Sequence, residues 1–166
     1  LTKIMGECLS WAYAQNQNLQ VTVVRNFSTY GPGQIGDYIV PSLVKQGCLS
    51  RRLEIWNARP TRDFTYIDDS ISALLAISES ERLIGEMVNL GSSKETSIGE
   101  LGQIISRLLG NIPLEFLNKE VIGDVRQRAD NSKLSATGWK PLVTFEEGIG
   151  RTIEWFKSTQ QLQESQ

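Results

Sequence analysis

Histidine is absent from all 166 residues. That excludes serine triads built on imidazole, and most zinc and non-haem iron centres, which rely on it as a ligand. The two cysteines, Cys8 and Cys48, stand 40 positions apart without metal-ligand spacing, which excludes a zinc ribbon or a disulfide framework. No apolar run approaches the ~20 residues of a membrane span. Positive charge is scarce and scattered: 17 Lys and Arg against 19 Asp and Glu give a net charge of −2. A nucleic-acid-binding face needs clustered basic residues, so that class is excluded too. No Gly-x-x-Gly-x-x-Gly phosphate loop occurs, so a dinucleotide-binding half would have to precede Leu1 in a longer protein. A reducing, cytoplasmic compartment and no bound metal are the simplest expectations.

What is present is enough apolar sequence, 40%, to bury the core of one domain. Helical and strand periodicities alternate. Ile4, Met5, Cys8, Leu9, Ala12 and Tyr13 predict an amphipathic helix over 2–15, ended by Asn16-Gln17-Asn18. Residues 19–27 are rich in β-branched side chains and read as a buried strand. Tyr30-Gly31-Pro32-Gly33 reads as a loop. A helix follows over 37–47 with Pro41 near its first turn, then strands at 53–56 and 64–67. The second of these runs into a helix through Ile77 with Asp69 as its cap. After a strand at 87–90, Ser97 and Glu100 form a capping box for a helix stopped by Gly110. A strand at 114–117 and a short helix at 131–137, beside Asp130 as a cap, come next. Thr144 and Glu147 form a second capping box, for a helix through Lys157 and a frayed polar tail from Gln160. Trp56, Trp139 and Trp155 are expected in the core. This alternation predicts an α/β fold.

The first seven residues carry the sharpest chemical signal. Leu1-Thr2-Lys3-Ile4-Met5-Gly6-Glu7 reads as the second half of a Tyr-x-x-x-Lys helix. Residues four apart share a helical face. A Tyr two positions before Leu1 would lie beside Lys3, whose ammonium would lower the phenol pKa. Further segments follow in fixed order: Arg25-x-x-x-x-Tyr30-Gly31-Pro32-Gly33-Gln34, Thr61-Arg62-Asp63-Phe64-x-Tyr66-Ile67-x-Asp69, Asn89-Leu90-Gly91-Ser92, and Gly123-Asp124-Val125-Arg126 through Asp130-x-Ser132-Lys133. Gly138-Trp139-x-Pro141 and Thr152-Ile153-x-Trp155 close the series. Together these segments resemble the NAD-dependent epimerase/dehydratases of the extended short-chain dehydrogenase/reductase group, in their C-terminal half.

The resemblance implies the C-terminal part of a Rossmann-type NAD(P)-binding fold plus a small α/β substrate-binding domain. Residues 1–35 would be the last Rossmann elements, 36–160 mainly the sugar-nucleotide domain, and 161–166 a polar tail. It implies NAD as cofactor, with NADP an alternative, and a nucleotide-diphospho-sugar as substrate. It also implies a homodimer paired through the Lys3 helix, which Trp11 would join. Lys3 matches the catalytic lysine that holds the nicotinamide ribose. Tyr30, Gly31 and Pro32 match the loop passing the nicotinamide and the sugar. Ser28 stands where the family often has a substrate-contacting Asn. Arg62 and Arg126 match the cations of the substrate diphosphate, a role suited to the arginine fork. Arg128 and Arg59 are weaker candidates. Asp63, Asp69 and Asp130 are expected to serve structure.

The reaction implied first is 4,6-dehydration. Hydride leaves sugar C4 while the Tyr takes the hydroxyl proton, water is eliminated across C5–C6, and hydride returns to C6. Pro60-Thr61-Arg62-Asp63 and Ala129-Asp130-Asn131-Ser132-Lys133 resemble the N-acetylglucosamine-nucleotide dehydratases of surface-sugar pathways in particular. The alternatives are a 4-epimerase, a 4-ketoreductase, or a module that binds sugar nucleotides without catalysis. Without the Tyr, the chain alone is expected to be inactive.

Overall fold

The computed structural model describes residues 1–119 and 125–164, with side chains through 161. Gly123 and Asp124 of the fifth segment lie outside the described residues. Helix α1 (Thr2–Gln17) ends where Asn18 takes the left-handed conformation, φ 51°, which Asn tolerates well. The chain then runs back as β1 (Val23–Asn26). Arg25 donates to both Glu7 oxygens, Nε to Oε1 and a terminal nitrogen to Oε2, each at 2.8 Å. This bidentate pair staples α1 to β1 and holds the Glu7 carboxyl below its usual range. None of α1's residues is buried, and Ile4, Met5, Leu9 and Tyr13 are each more than half exposed. The predicted amphipathic stripe exists, but it faces outward.

Strand β1 is followed after one residue by β2 (Ser28–Tyr30). The sequence pattern ends its strand at Phe27 and reads Tyr30 as part of a loop. Ser28 and Tyr30 instead belong to this short second strand. Next come α2 (Ile39–Ser50), β3 (Leu53–Ile55), β4 (Thr61–Arg62), β5 (Phe64–Tyr66) and α3 (Ile67–Ser78). A single 3₁₀ turn leads to β6 (Met87–Leu90), β7 (Thr96–Ser97), α4 (Ile98–Leu108), β8 (Leu114–Phe116), α5 (Ser132–Ser135) and α6 (Phe145–Glu164). The last helix continues past Lys157 and Gln160, where a frayed tail was expected.

The strands pair two by two. β1 runs parallel to β6, β2 to β5 and β3 to β8, while β4 and β7 are antiparallel. At Phe27, whose N–H still reaches Leu90 O at 2.9 Å, the chain leaves β6 and takes β5 as its next partner. One core lies between α2, α4, α6 and strands β2, β3 and β5, and includes Tyr30, Val44, Leu53, Phe64, Leu101 and Ile149. A second, around Val88, Leu90, Ala73, Leu134 and Trp139, packs α3 and α5 on β6. Trp56 is 63% exposed rather than core, because it sits at the open end of β3 with Lys119 Nζ 5.1 Å over its ring.

The capping box of α4 is present in full. Ser97 Oγ accepts from Glu100 N, and the Glu100 carboxylate accepts from Ser97 N. At α6 Thr144 Oγ1 accepts from Glu147 N, and the Glu147 carboxylate pairs with Arg151 one turn on. Asp69 does not cap α3. It lies within the first turn, and its two oxygens accept from Leu142 N and Val143 N at 2.9 and 3.1 Å. Asp130 is not the cap of α5 either: it stands one residue before the N-cap Asn131 and accepts from Ser132 N in an Asx turn.

Asp63, fully buried between β4 and β5, gathers three chain segments. Its Oδ1 accepts from Ser92 N and Ser92 Oγ at 2.7 and 2.6 Å, and its Oδ2 from Ser93 N and Ala129 N at 2.9 and 3.0 Å. Gly91 permits the approach: a Cβ there would stand 2.5 Å from Ala129 Cβ and 2.9 Å from Asp63 Oδ2. Asp63→Asn keeps the shape but turns an NH2 toward two backbone donors. The expected loss is about 3 kcal/mol, or roughly 10 °C in Tm, measured by thermal unfolding followed by circular dichroism. A loss below about 1 kcal/mol would show that the segments hold without this carboxylate.

Candidate functional site

The partner switch at Phe27 opens a cleft of about 700 Å³. Crevices at the carboxyl ends of parallel strands, where strand order changes, are the usual ligand sites of α/β folds. Asn26, Ser28, Thr29 and Gln34 supply polar groups to its wall, Gln127 faces them, and Phe27, Tyr38, Ile39 and Phe64 supply apolar surface. Thr29 Oγ1 sits 3.1 Å from Asn26 Oδ1 and 3.0 Å from Ser70 Oγ, which ties the polar wall to α3.

Of the residues expected at a site, Ser28 and Tyr30 are on this wall. The Tyr30 ring, however, belongs to the core. It is 2% exposed, stands edge-on to Phe64, Tyr66 and Phe145, and donates its hydroxyl to Phe145 O at 3.1 Å. Burial pushes the phenol well above its ordinary pKa. Tyr30 thus shapes the cleft and holds its proton. Gly31 and Pro32 follow as the turn above it. Gly31 is at φ 154°, and a Cβ there would meet Ile67 Cγ2 at 2.6 Å.

Lys3 is exposed on α1. It lies one turn before Glu7 on the same helical face. The staple from Glu7 to Arg25 sets this part of α1 beside β1. The cleft wall itself carries no carboxylate, lysine or thiol among the described residues. It can bind and orient; of the two phenols among its lining residues, Tyr30 commits its hydroxyl to Phe145 O, and Tyr38 lies largely exposed at the rim.

Arg62 and Arg126 lie on adjoining segments. Arg62 is on β4, partly buried, with one terminal nitrogen on Thr61 O at 2.7 Å. Thr61 N donates to Val125 O at 2.9 Å, which lays the Arg126 segment along β4. Phe64 and Gln127 line the cleft, two and one positions in sequence from Arg62 and Arg126, which are not themselves among its lining residues. Glu95 is the member that the sequence concealed. Its Oε1 accepts from Arg126 Nε at 2.9 Å and from Thr61 Oγ1 at 2.8 Å, and its Oε2 accepts from Arg126 Nη2 at 2.6 Å. The pair grips Arg126 side-on and does not consume its other terminal nitrogen. Arg128 and Arg59 are exposed.

A family model described as the NAD dependent epimerase/dehydratase family matches residues 1–91. The chain belongs to that family. UDP-glucuronic acid decarboxylase 1 of Xenopus tropicalis is 30% identical over 160 residues, covering 93% of this chain and 38% of the relative. The dTDP-D-glucose 4,6-dehydratase of Homo sapiens is 27% identical, covering 94% and 47%. The crystal structure of UDP-glucuronic acid 4-epimerase from Bacillus cereus, in complex with UDP-glucuronic acid and NAD, superposes with a TM-score of 0.84 at 31% identity, covering 95% and 52%. The chain thus spans about half the length of the proteins it matches, and it shares their Rossmann-type fold. The family is described as NAD dependent, and solved neighbours hold NAD or NADPH. No helix among the described residues is long and apolar enough to cross a membrane.

The ion pair with Arg126 and the Thr61 hydroxyl bring the Glu95 carboxyl down to about 2. A group whose pKa is lowered on folding adds stability above its unfolded pKa and loses it as pH falls through the folded one. The Glu95–Arg126 grip therefore persists through pH 4, where ordinary carboxylates titrate. A carbon-detected NMR titration should find the Glu95 midpoint at about 2. Arg126→Ala should return it to the ordinary glutamate range, and an unchanged midpoint would assign the shift elsewhere.

Proposed function

We propose that this chain is the substrate-binding part of an NAD-dependent enzyme that modifies nucleotide-diphospho-sugars, with 4,6-dehydration as its reaction. The observation that carries this reading is the cleft itself. A neutral, hydroxyl- and amide-lined wall stands at the strand switch, and two arginines lie on adjoining segments close in sequence to its lining residues Phe64 and Gln127. That combination of groups matches a sugar and a diphosphate. A sugar offers hydroxyls to Asn26, Ser28 and Thr29, and two phosphates require cations where no metal cluster is present among the described residues.

In this reading Lys3 holds the cofactor ribose and lowers the pKa of a Tyr four residues before it. Arg62 and Arg126 hold the diphosphate, and Ser28 orients the sugar. Bound NAD would supply a hydride acceptor that is returned unchanged, so dehydration releases one water with no net oxidation. The exposed apolar stripe of α1 supports the expected pairing of two copies through that helix.

Arg62→Ala should weaken binding of UDP-glucose or dTDP-glucose by about 2 kcal/mol, roughly thirtyfold, in isothermal titration calorimetry. Unchanged affinity would remove Arg62 from the site. In the full-length enzyme, mass spectrometry of the product separates the reactions. Loss of one water supports the dehydratase, whereas an isobaric product means epimerisation.

A further inference from the structure

One of the two cations assigned to the phosphates is held by an acid. Arg126 stands with 74% of its side chain open to solvent, on a segment outside any helix or strand. A long side chain in that setting samples many rotamers, and a ligand that seizes it bears the cost of ordering it. Glu95 removes that freedom. Its two carboxylate oxygens take the Nε and Nη2 edge of the guanidinium at 2.9 and 2.6 Å. Glu95 is itself fixed from a second side. Its Oε1 also accepts from Thr61 Oγ1 at 2.8 Å, and only 20% of its side chain is exposed.

Thr61 is the common reference for the group. Its hydroxyl goes to Glu95, its N–H to Val125 O beside Arg126, and its carbonyl accepts from Arg62 Nη1 at 2.7 Å. β4 pairs with β7, which begins at Thr96, the residue after Glu95. The acid and both arginines are thus tied to a single residue of β4.

The grip depends on the shape of arginine. A guanidinium is a planar fork with more than one usable edge, so the carboxylate takes one edge while the Nη1 side lies outside the grip. A lysine ammonium is a point charge with no second edge. Beside Glu95 it would be captured by the carboxylate.

We infer that Glu95 is a positioning residue: it presents Arg126 to the substrate diphosphate and makes arginine, not lysine, the requirement at that position. This rests on the reading of Arg126 as a diphosphate cation, but not on which sugar or reaction follows. Glu95 acts through Arg126 and does not itself touch the ligand.

The test is calorimetric binding of UDP-glucose to the chain and its variants at fixed ionic strength, with each fold checked by circular dichroism. Glu95→Asp keeps the charge but shortens the reach, so it should weaken binding about fivefold, the cost of leaving one long side chain for the ligand to order. Arg126→Lys should weaken binding about tenfold when Glu95 is present, and only about twofold beside Glu95→Gln. The lost negative field is common to both members of that second comparison and cancels. NMR of the Arg126 Nε–H gives a readout apart from affinity. That proton should stay hydrogen-bonded to Glu95 when UDP-glucose saturates the chain.

Wild-type affinity in Glu95→Asp overturns the inference, as does an Arg-to-Lys ratio that Glu95→Gln leaves unchanged. Loss of the Nε–H bond on ligand binding overturns it too, because Glu95 would then be a competitor that the diphosphate displaces. Arg126→Ala is the separate control. If it binds UDP-glucose as tightly as the wild type, the reading of Arg126 as a diphosphate cation fails and takes the inference with it. If Arg126→Ala weakens binding while Glu95→Asp does not, the inference alone fails.

Discussion

A buried carboxylate, solvated by backbone and hydroxyl donors of the chain, ties the site together. Asp63 accepts four hydrogen bonds from three residues that are 29 to 66 positions away in sequence. Each donor would be an orphan without it, because Ser92, Ser93 and Ala129 lie outside regular ladders. The consequence is geometric. β4 carries Arg62 immediately before Asp63, the Ser92–Ser93 turn leads to Glu95, and Ala129 anchors the stretch that holds Arg126 and Gln127. One buried side chain thus fixes the relative positions of Arg62, Glu95, Arg126 and Gln127. None of those four needs to be rigid in itself.

The same logic explains what could be read from the sequence. Helices α2, α4 and α6 announce themselves by periodicity, Pro41, Gly110 and capping residues, all of which act within a few positions. Asp63 was expected to be structural, and it is. The staple between Glu7 and Arg25 joins two segments that the sequence had marked separately, yet nothing in either predicts the pair. Strands β4 and β7 have two residues each, too short to show an alternation. Tyr30 sits between a strand-like run and a Gly-Pro turn. Its register with Tyr66 places it in the strand, and only the packing of Phe64 and Phe145 shows that its hydroxyl is committed. Asp69 was taken for a cap because Asp near a helix start is the commonest local solution. A loop 73 residues later provided better partners. Glu95 is informative for the opposite reason. It is an ordinary polar residue in turn-like sequence, and its meaning comes wholly from what faces it.

The electrostatics divide sharply between the arginine segments and the cleft, and the division has a physical cause. On the arginine side, Glu95 and the Thr61 hydroxyl hold Arg126 side-on, which fixes a flexible side chain before any ligand arrives and leaves one guanidinium edge uncommitted. The ordering entropy of that arginine is therefore met within the fold rather than by the ligand. The wall of the cleft is neutral. In the proposed reading the diphosphate finds its cations in Arg62 and Arg126, and the neutral lining of the cleft offers the phosphates no competing partner, so charge would set the direction in which a bound nucleotide sugar lies.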